Sequence, residues 1–155
     1  MTFTDKRRGG SSSKILTNVS WADAMSEPVN ATALKPFVGA KKFQVSKAFY
    51  LDMGFAINWE SSNLIQFEFT GCQFYLQDFY EPTWCDNTML YLEVDDVFGI
   101  YRRIKAVSQN PQYEGARCQP PEPQPYGALV AYLWDPSGVL WHIAEPSEDK
   151  LSEQL

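Results

Sequence analysis

Residues 126–145 read YGALVAYLWDPSGVLWHIAE, and this stretch decides the fold. Ala128–Trp134 and Val139–Ala144 are rich in β-branched and aromatic residues, so both read as strands. Between them, Asp135-Pro136-Ser137-Gly138 is a turn. Asp bonds the backbone ahead, Pro presets φ, and Gly tolerates positive φ. The second strand alternates. Val139, Trp141 and Ile143 point one way, and Leu140, His142 and Ala144 the other. His142 is the only histidine of the chain, so any histidine chemistry rests on it.

Working outward, the same order of elements occurs twice. Leu34–Ala40 reads as a strand. Gln44–Met53 reads as a helix, with Val45, Ala48, Phe49 and Met53 on one face and Gly54 ending it. Phe55–Trp59, Leu64–Phe69 and Cys72–Gln77 follow as antiparallel strands. Thr88–Val94 then begins a second round. Asp95 or Asp96 caps a helix whose Val97, Ile100, Tyr101 and Ile104 fall at helical spacing. Ser108–Tyr113 reads as a loop, Gly115–Gln119 as a weak strand and Pro120–Pro125 as a stiff proline-rich loop. The expected organisation is an arm at 1–33, a βαβββ module at 34–79, a linker at 80–87, a second βαβββ module at 88–146 and a polar tail at 147–155. Lys14–Met25 within the arm can form a short helix. The fold class is α+β: a cupped mixed sheet with its helices on the outer face.

Composition bounds the function. The 155 residues suit one domain of ordinary size, and the hydrophobic fraction of 45% can fill a core. A net charge of −6 argues against nucleic acid, which requires clustered Lys and Arg. No run approaches the ~20 apolar residues of a membrane span. Lys6, Arg7 and Arg8 precede a Gly/Ser stretch rather than an apolar run, so no secretory signal is expected. Cys72, Cys85 and Cys118 lack metal-site spacing and are odd in number, which points to a reduced, cytoplasmic setting, with Cys72 buried in its strand.

The strand faces divide alike. Leu90, Leu92 and Val94 oppose Met89, Tyr91 and Glu93. Cys72, Phe74 and Leu76 oppose Gln73, Tyr75 and Gln77. The aliphatic faces suit helix packing, whereas the mixed faces carry aromatics, amides, one carboxylate and one histidine. Apolar walls with a few polar groups describe a ligand cavity; a dimer interface has similar composition.

At this point the chain resembles the vicinal oxygen chelate superfamily of glyoxalases, extradiol dioxygenases and bleomycin-resistance proteins. Ser46, Ala48, Phe49 and Tyr50, then Met53, Gly54 and Phe55, resemble its S-x-A-F-Y…L-G-F. Val94-Asp95-Asp96-Val97 resembles its step into the second helix. Asp135-Pro136-Ser137-Gly138 resembles its D-P-x-G turn. The resemblance covers about 34–146 and implies paired βαβββ modules. Its metal enzymes carry His, Gln or Glu at four strand positions. Here those positions hold Lys35, Tyr75, Met89 and His142, a poor set for a divalent ion, so neither metal nor cofactor is expected. The last hairpin is most similar to the bleomycin-resistance type, with Tyr126 in place of Trp and Val139 in place of Asn. Those relatives bind a large cationic drug without catalysis, in clefts shared by a dimer.

The expected function is therefore metal-independent binding or sequestration of a small aromatic or cationic compound by a homodimer. The contacts would be Tyr75, Gln77, Met89, Tyr91, Glu93, Tyr132, Trp134 and His142. Two alternatives stand beside it. One is a glyoxalase- or dioxygenase-like enzyme with an altered or lost metal site, using His142 as acid or base with Glu93 beside it. The other is an effector-sensing or interaction module working through Pro120–Pro125 and the arm. Phe79, Tyr80 and Trp84 in the linker are the residues a second chain would cover.

Overall fold

The structure is a computed structural model that describes residues 20–22, 28 and 30–147. Of the helix expected over Lys14–Met25 only residues 20–22 are described, with Trp21 and Ala22 helical, and most of the arm and tail lie outside the described residues. Two modules follow one another. The first comprises β1 (Phe37–Gly39), α1 (Phe43–Asp52), β2 (Ala56–Glu60), β3 (Leu64–Phe69) and β4 (Cys72–Gln77). A connecting helix α2 (Pro82–Asn87) leads to β5 (Met89–Glu93), α3 (Val97–Ser108), a 3₁₀ turn (Pro111–Tyr113), β6 (Arg117–Pro123), β7 (Ala128–Trp134) and β8 (Leu140–Pro146). Each module forms its own four-stranded mixed sheet, ordered β1-β4-β3-β2 and β5-β8-β7-β6. In both, the strand before the helix pairs parallel with the last strand and the rest are antiparallel.

The helices form where the apolar spacing allows, and their ends are chemically marked. Gly54 ends α1 at φ +99°, which a side chain rarely adopts. Asp96 caps α3 by accepting from the Gly99 amide at 2.7 Å, and Glu145 at the end of β8 accepts from the Val97 amide at 2.9 Å. One end of the last strand is thus fastened to the start of the second helix.

One core serves both modules. Phe49, Tyr50, Phe55, Phe67 and Phe74 of the first are buried together with Leu92, Ile104, Leu133, Trp141 and Ile143 of the second. Rings dominate it: Trp141 lies within 5.4–5.9 Å of Tyr50, Phe55 and Phe74. At its centre sits a carboxylate, Asp135, with no exposed surface. Its Oδ1 accepts from the amides of Ser137 (2.8 Å) and Val139 (2.9 Å), forming the turn expected from the sequence. Its Oδ2 accepts from the Tyr50 hydroxyl on α1 at 2.7 Å, and Trp141 Nε1 donates to that hydroxyl at 3.2 Å. Gly138 completes the turn at φ +97°, where a Cβ would meet Asp86 Oδ1 at 2.6 Å. The last hairpin is thereby hydrogen-bonded to the helix of the other module.

Four local expectations are corrected. The 80–87 linker contains helix α2, begun by Pro82 and capped by Glu81, which accepts from Thr83. Pro120–Pro123 is strand, not loop. β6 is an edge strand with a register shift between Gln119 and Glu122, where missing N–H groups are tolerated. Ser108–Tyr113 includes a 3₁₀ turn that inserts Tyr113 into the core against Phe49. Its hydroxyl donates to Asp52, and burial and then that carboxylate push its pKa up to about 12. Cys72 is exposed, because it opens β4 just after the Thr70–Gly71 turn, whereas Cys85 is buried on α2 and Cys118 lies on β6.

Burial raises the Asp135 pKa from its ordinary 3.8 to about 6, outweighing the hydrogen bonds that lower it. The folded chain then keeps a proton that the unfolded chain releases, so this contribution is full below pH 4 and is lost as pH rises through about 6. Its size is on the order of 3 kcal/mol. In denaturant unfolding from pH 4 to 7, wild type minus Asp135→Asn should decline with rising pH by an amount of that order. A difference that stays level would remove the carboxylate from this role.

Candidate functional site

Strand alternation places one face of the second sheet away from the shared core. The register pairs Tyr91 with His142 across β5 and β8, and Tyr132 with His142 across β7 and β8. Met89 and Trp134 both pair with Leu140. His142 therefore stands between two tyrosines. The Tyr132 ring meets it edge-on at 4.9 Å, and the Tyr91 ring is 6.3 Å away. Met89 and Tyr91 are 66% and 51% exposed, which opens the rim of this aromatic face. Further along the same strands, Ala128, Val130 and Ala144 form a small buried cluster that packs against Tyr132.

The polar atoms of the face are mostly engaged. Tyr126 stands beside Tyr91, and burial followed by the charge of that neighbour raises the Tyr91 pKa. Arg117 on β6 lies over the Trp134 ring, 4.2 Å from its centroid. His142 Nε2 is the exception: it is buried and has no hydrogen-bond partner. Leaving such an atom unpaired costs on the order of 1–3 kcal/mol, so it marks a place where a partner is missing.

Of the residues singled out from the sequence, Met89, Tyr91, Tyr132, Trp134 and His142 come together on this face. Glu93 stands one step further along the strands, opposite Ala144 rather than His142. It lines a groove of about 460 Å³ with Phe69, Asp95, Asp96 and Arg103. No hydrogen bond joins it to His142. Tyr75 and Gln77 lie on the first sheet, in separate surroundings. Tyr75 stacks on Phe37 at 5.0 Å with Lys35 over its ring at 5.8 Å. Gln77 lines a small groove with Phe79 and Trp84. Arg117 and Tyr126 were missed from the sequence. Arg117 sits on β6, where the following prolines read as loop, and Tyr126 sits in a turn whose return onto β5 is a tertiary event.

A divalent ion does not fit this arrangement. The side chains flanking His142 are tyrosines, which are poor ligands when neutral. Among the described residues no three His, Cys, Asp or Glu side chains come close enough to share an ion. Among them, too, no helix is long and apolar enough to cross a membrane.

No family model matches the chain, and no curated protein matches it by sequence. Solved structures do match. A bleomycin-binding protein complexed with bleomycin is 23% identical, with a TM-score of 0.64 over 76% of this chain and 100% of that one. A bleomycin resistance determinant encoded on the transposon Tn5 is 24% identical, with a TM-score of 0.64 over 75% and 98%. A lactoylglutathione lyase from Agrobacterium tumefaciens is 18% identical, with a TM-score of 0.56 over 75% and 95%. At these identities the likeness speaks for architecture. Two βαβββ modules in this order, matched over nearly the whole of each neighbour, give the chain the fold that these proteins share.

Proposed function

We propose that this protein binds a small aromatic or cationic compound on the β5–β8–β7 face, without a metal ion and without chemical turnover. The observation that carries this reading is the aromatic face itself: Tyr91, Tyr132 and Trp134 around a histidine nitrogen that lacks a partner. The fold supports it, since two of its neighbours are described as binding bleomycin or conferring resistance to it. The donor chemistry around His142 supports independence from metal, and the separation of Glu93 from His142 supports binding over acid–base catalysis. Ring stacking and polar contacts worth ~0.5–2 kcal/mol each suffice together for micromolar affinity.

The same reading includes a second copy of the chain. Phe37, Phe79 and Trp84 are 56%, 51% and 63% exposed, a cost that pairing would relieve. Phe79 and Trp84 rings lie 5.6 Å apart beside α2, as one patch. A two-fold dimer would cover that patch and give two equivalent sites. A cytoplasmic location accords with three free thiols.

Three measurements test the proposal. In a thermal-shift screen of aromatic and cationic compounds, a binder at a hundred times its Kd should raise Tm by roughly 5–10 °C. Tyr132→Ala should cut its affinity at least tenfold. A screen without any such compound would reject the reading. Chelator treatment should leave both Tm and binding unchanged; loss of either would place a metal in the site. Sedimentation at micromolar concentration should return about twice the 17.7 kDa chain mass, and Trp84→Ser should shift it toward monomer. A wild-type monomer would reject the pairing.

A further inference from the structure

The polar atoms of the aromatic face narrow the ligand beyond an aromatic or cationic compound. One of the rings that could receive a cation already carries one of the protein's own: Arg117 covers Trp134 at 4.2 Å. The carboxylate nearest this face, Glu93, is displaced along the strand opposite Ala144 and lines a separate groove with Asp95, Asp96 and Arg103. Tyr126 stands beside the Tyr91 hydroxyl. What remains is the stretch of sheet face from Tyr91 across His142 to Tyr132, where His142 Nε2 is the one buried, unpaired side-chain atom among the described residues. Beside it along the strands the face is apolar: Ala128, Val130 and Ala144.

From this geometry we infer that the ligand is a neutral, planar aromatic compound bearing a hydroxyl group, which pairs with His142 Nε2 while its ring lies against Tyr91 and Tyr132. The inference rests on the reading of this face as a ligand site. A hydroxyl suits the atom in either imidazole tautomer, because it donates to a bare nitrogen and accepts from an N–H. A hydrocarbon ring of the same size leaves the nitrogen unpaired, and an ammonium group has no acceptor for an N–H and meets Arg117 nearby. Nε2 is covered in the free chain, so pairing requires it to become accessible, and Tyr91 beside it is half exposed.

The experiment uses the full chain and three probes of one ring size: 2-naphthol, naphthalene and naphthylmethylammonium. Because His142 is the only histidine, its ring nitrogens report alone in a ¹H–¹⁵N spectrum. The expected result is that 2-naphthol binds roughly three- to tenfold tighter than naphthalene. The ammonium should gain nothing over naphthalene, and saturation with 2-naphthol should move the His142 Nε2 signal. In His142→Phe the preference for the hydroxyl should vanish while ring binding persists. Equal binding of naphthol and naphthalene, tightest binding by the ammonium, or an unmoved Nε2 signal at saturation would each overturn the inference and leave the broader binding proposal intact. Failure of all three probes to bind would count against the face as a ligand site altogether. The wild-type spectrum decides the matter even where His142→Phe does not fold.

Discussion

The arrangement depends on a carboxylate buried without a counter-ion. Asp135 is held by two amides of its own turn and by the Tyr50 hydroxyl of the other module. A charge removed from water is tolerated only where hydrogen bonds replace its hydration. Here they come from two separate parts of the chain, so the group is satisfied only when both modules are docked. Trp141 adds a third contact to the same hydroxyl and fills the ring cluster between the modules. Those interactions set where β7 and β8 lie, and hence where Tyr132 and His142 stand on the opposite face. The Tyr50 hydroxyl itself is pushed well above its usual range, by burial first and by Asp135 second, so it stays a donor.

The two faces of the last hairpin carry opposite duties. Inward, Val139, Trp141 and Ile143 are buried in the shared core. Outward, His142 is flanked by rings rather than by carboxylates or amides, which changes what the position can do. An imidazole among acidic or amide neighbours can help hold an ion; among tyrosines it offers one hydrogen bond in an apolar setting. Such a bond discriminates strongly, because an unpaired partner in a dry site is costly. One fold can host unrelated chemistries, set by the residues placed at such a position.

Much of the fold was legible. β3 and β4 fall on the residues their alternation marked, Leu64–Phe69 and Cys72–Gln77, and α1 ends at the glycine that read as its stop. The Asp135 turn follows from local chemistry alone. The departures share one physical cause, dependence on what lies beside the segment. Pro120 and Pro121 are acceptable in a strand only because β6 is an edge with a bulge. Tyr113 is buried only because Phe49 and Asp52 wait for it across the chain. Cys72 shares the alternation of buried Phe74 yet is exposed, because at the strand end no element covers it.

The candidate site divides in the same way. Alternation within β5 and β8 assigned Met89, Tyr91 and His142 to one side of their strands, since side-chain direction is a local property of extended backbone. Strand order and register decided that His142 lies between Tyr91 and Tyr132, that Glu93 lies beyond reach, and that Arg117 covers Trp134. They also decided that Nε2 is left without a partner. Pairing across strands is a choice among distant segments, made by the burial of the whole core, and no single stretch of sequence carries it.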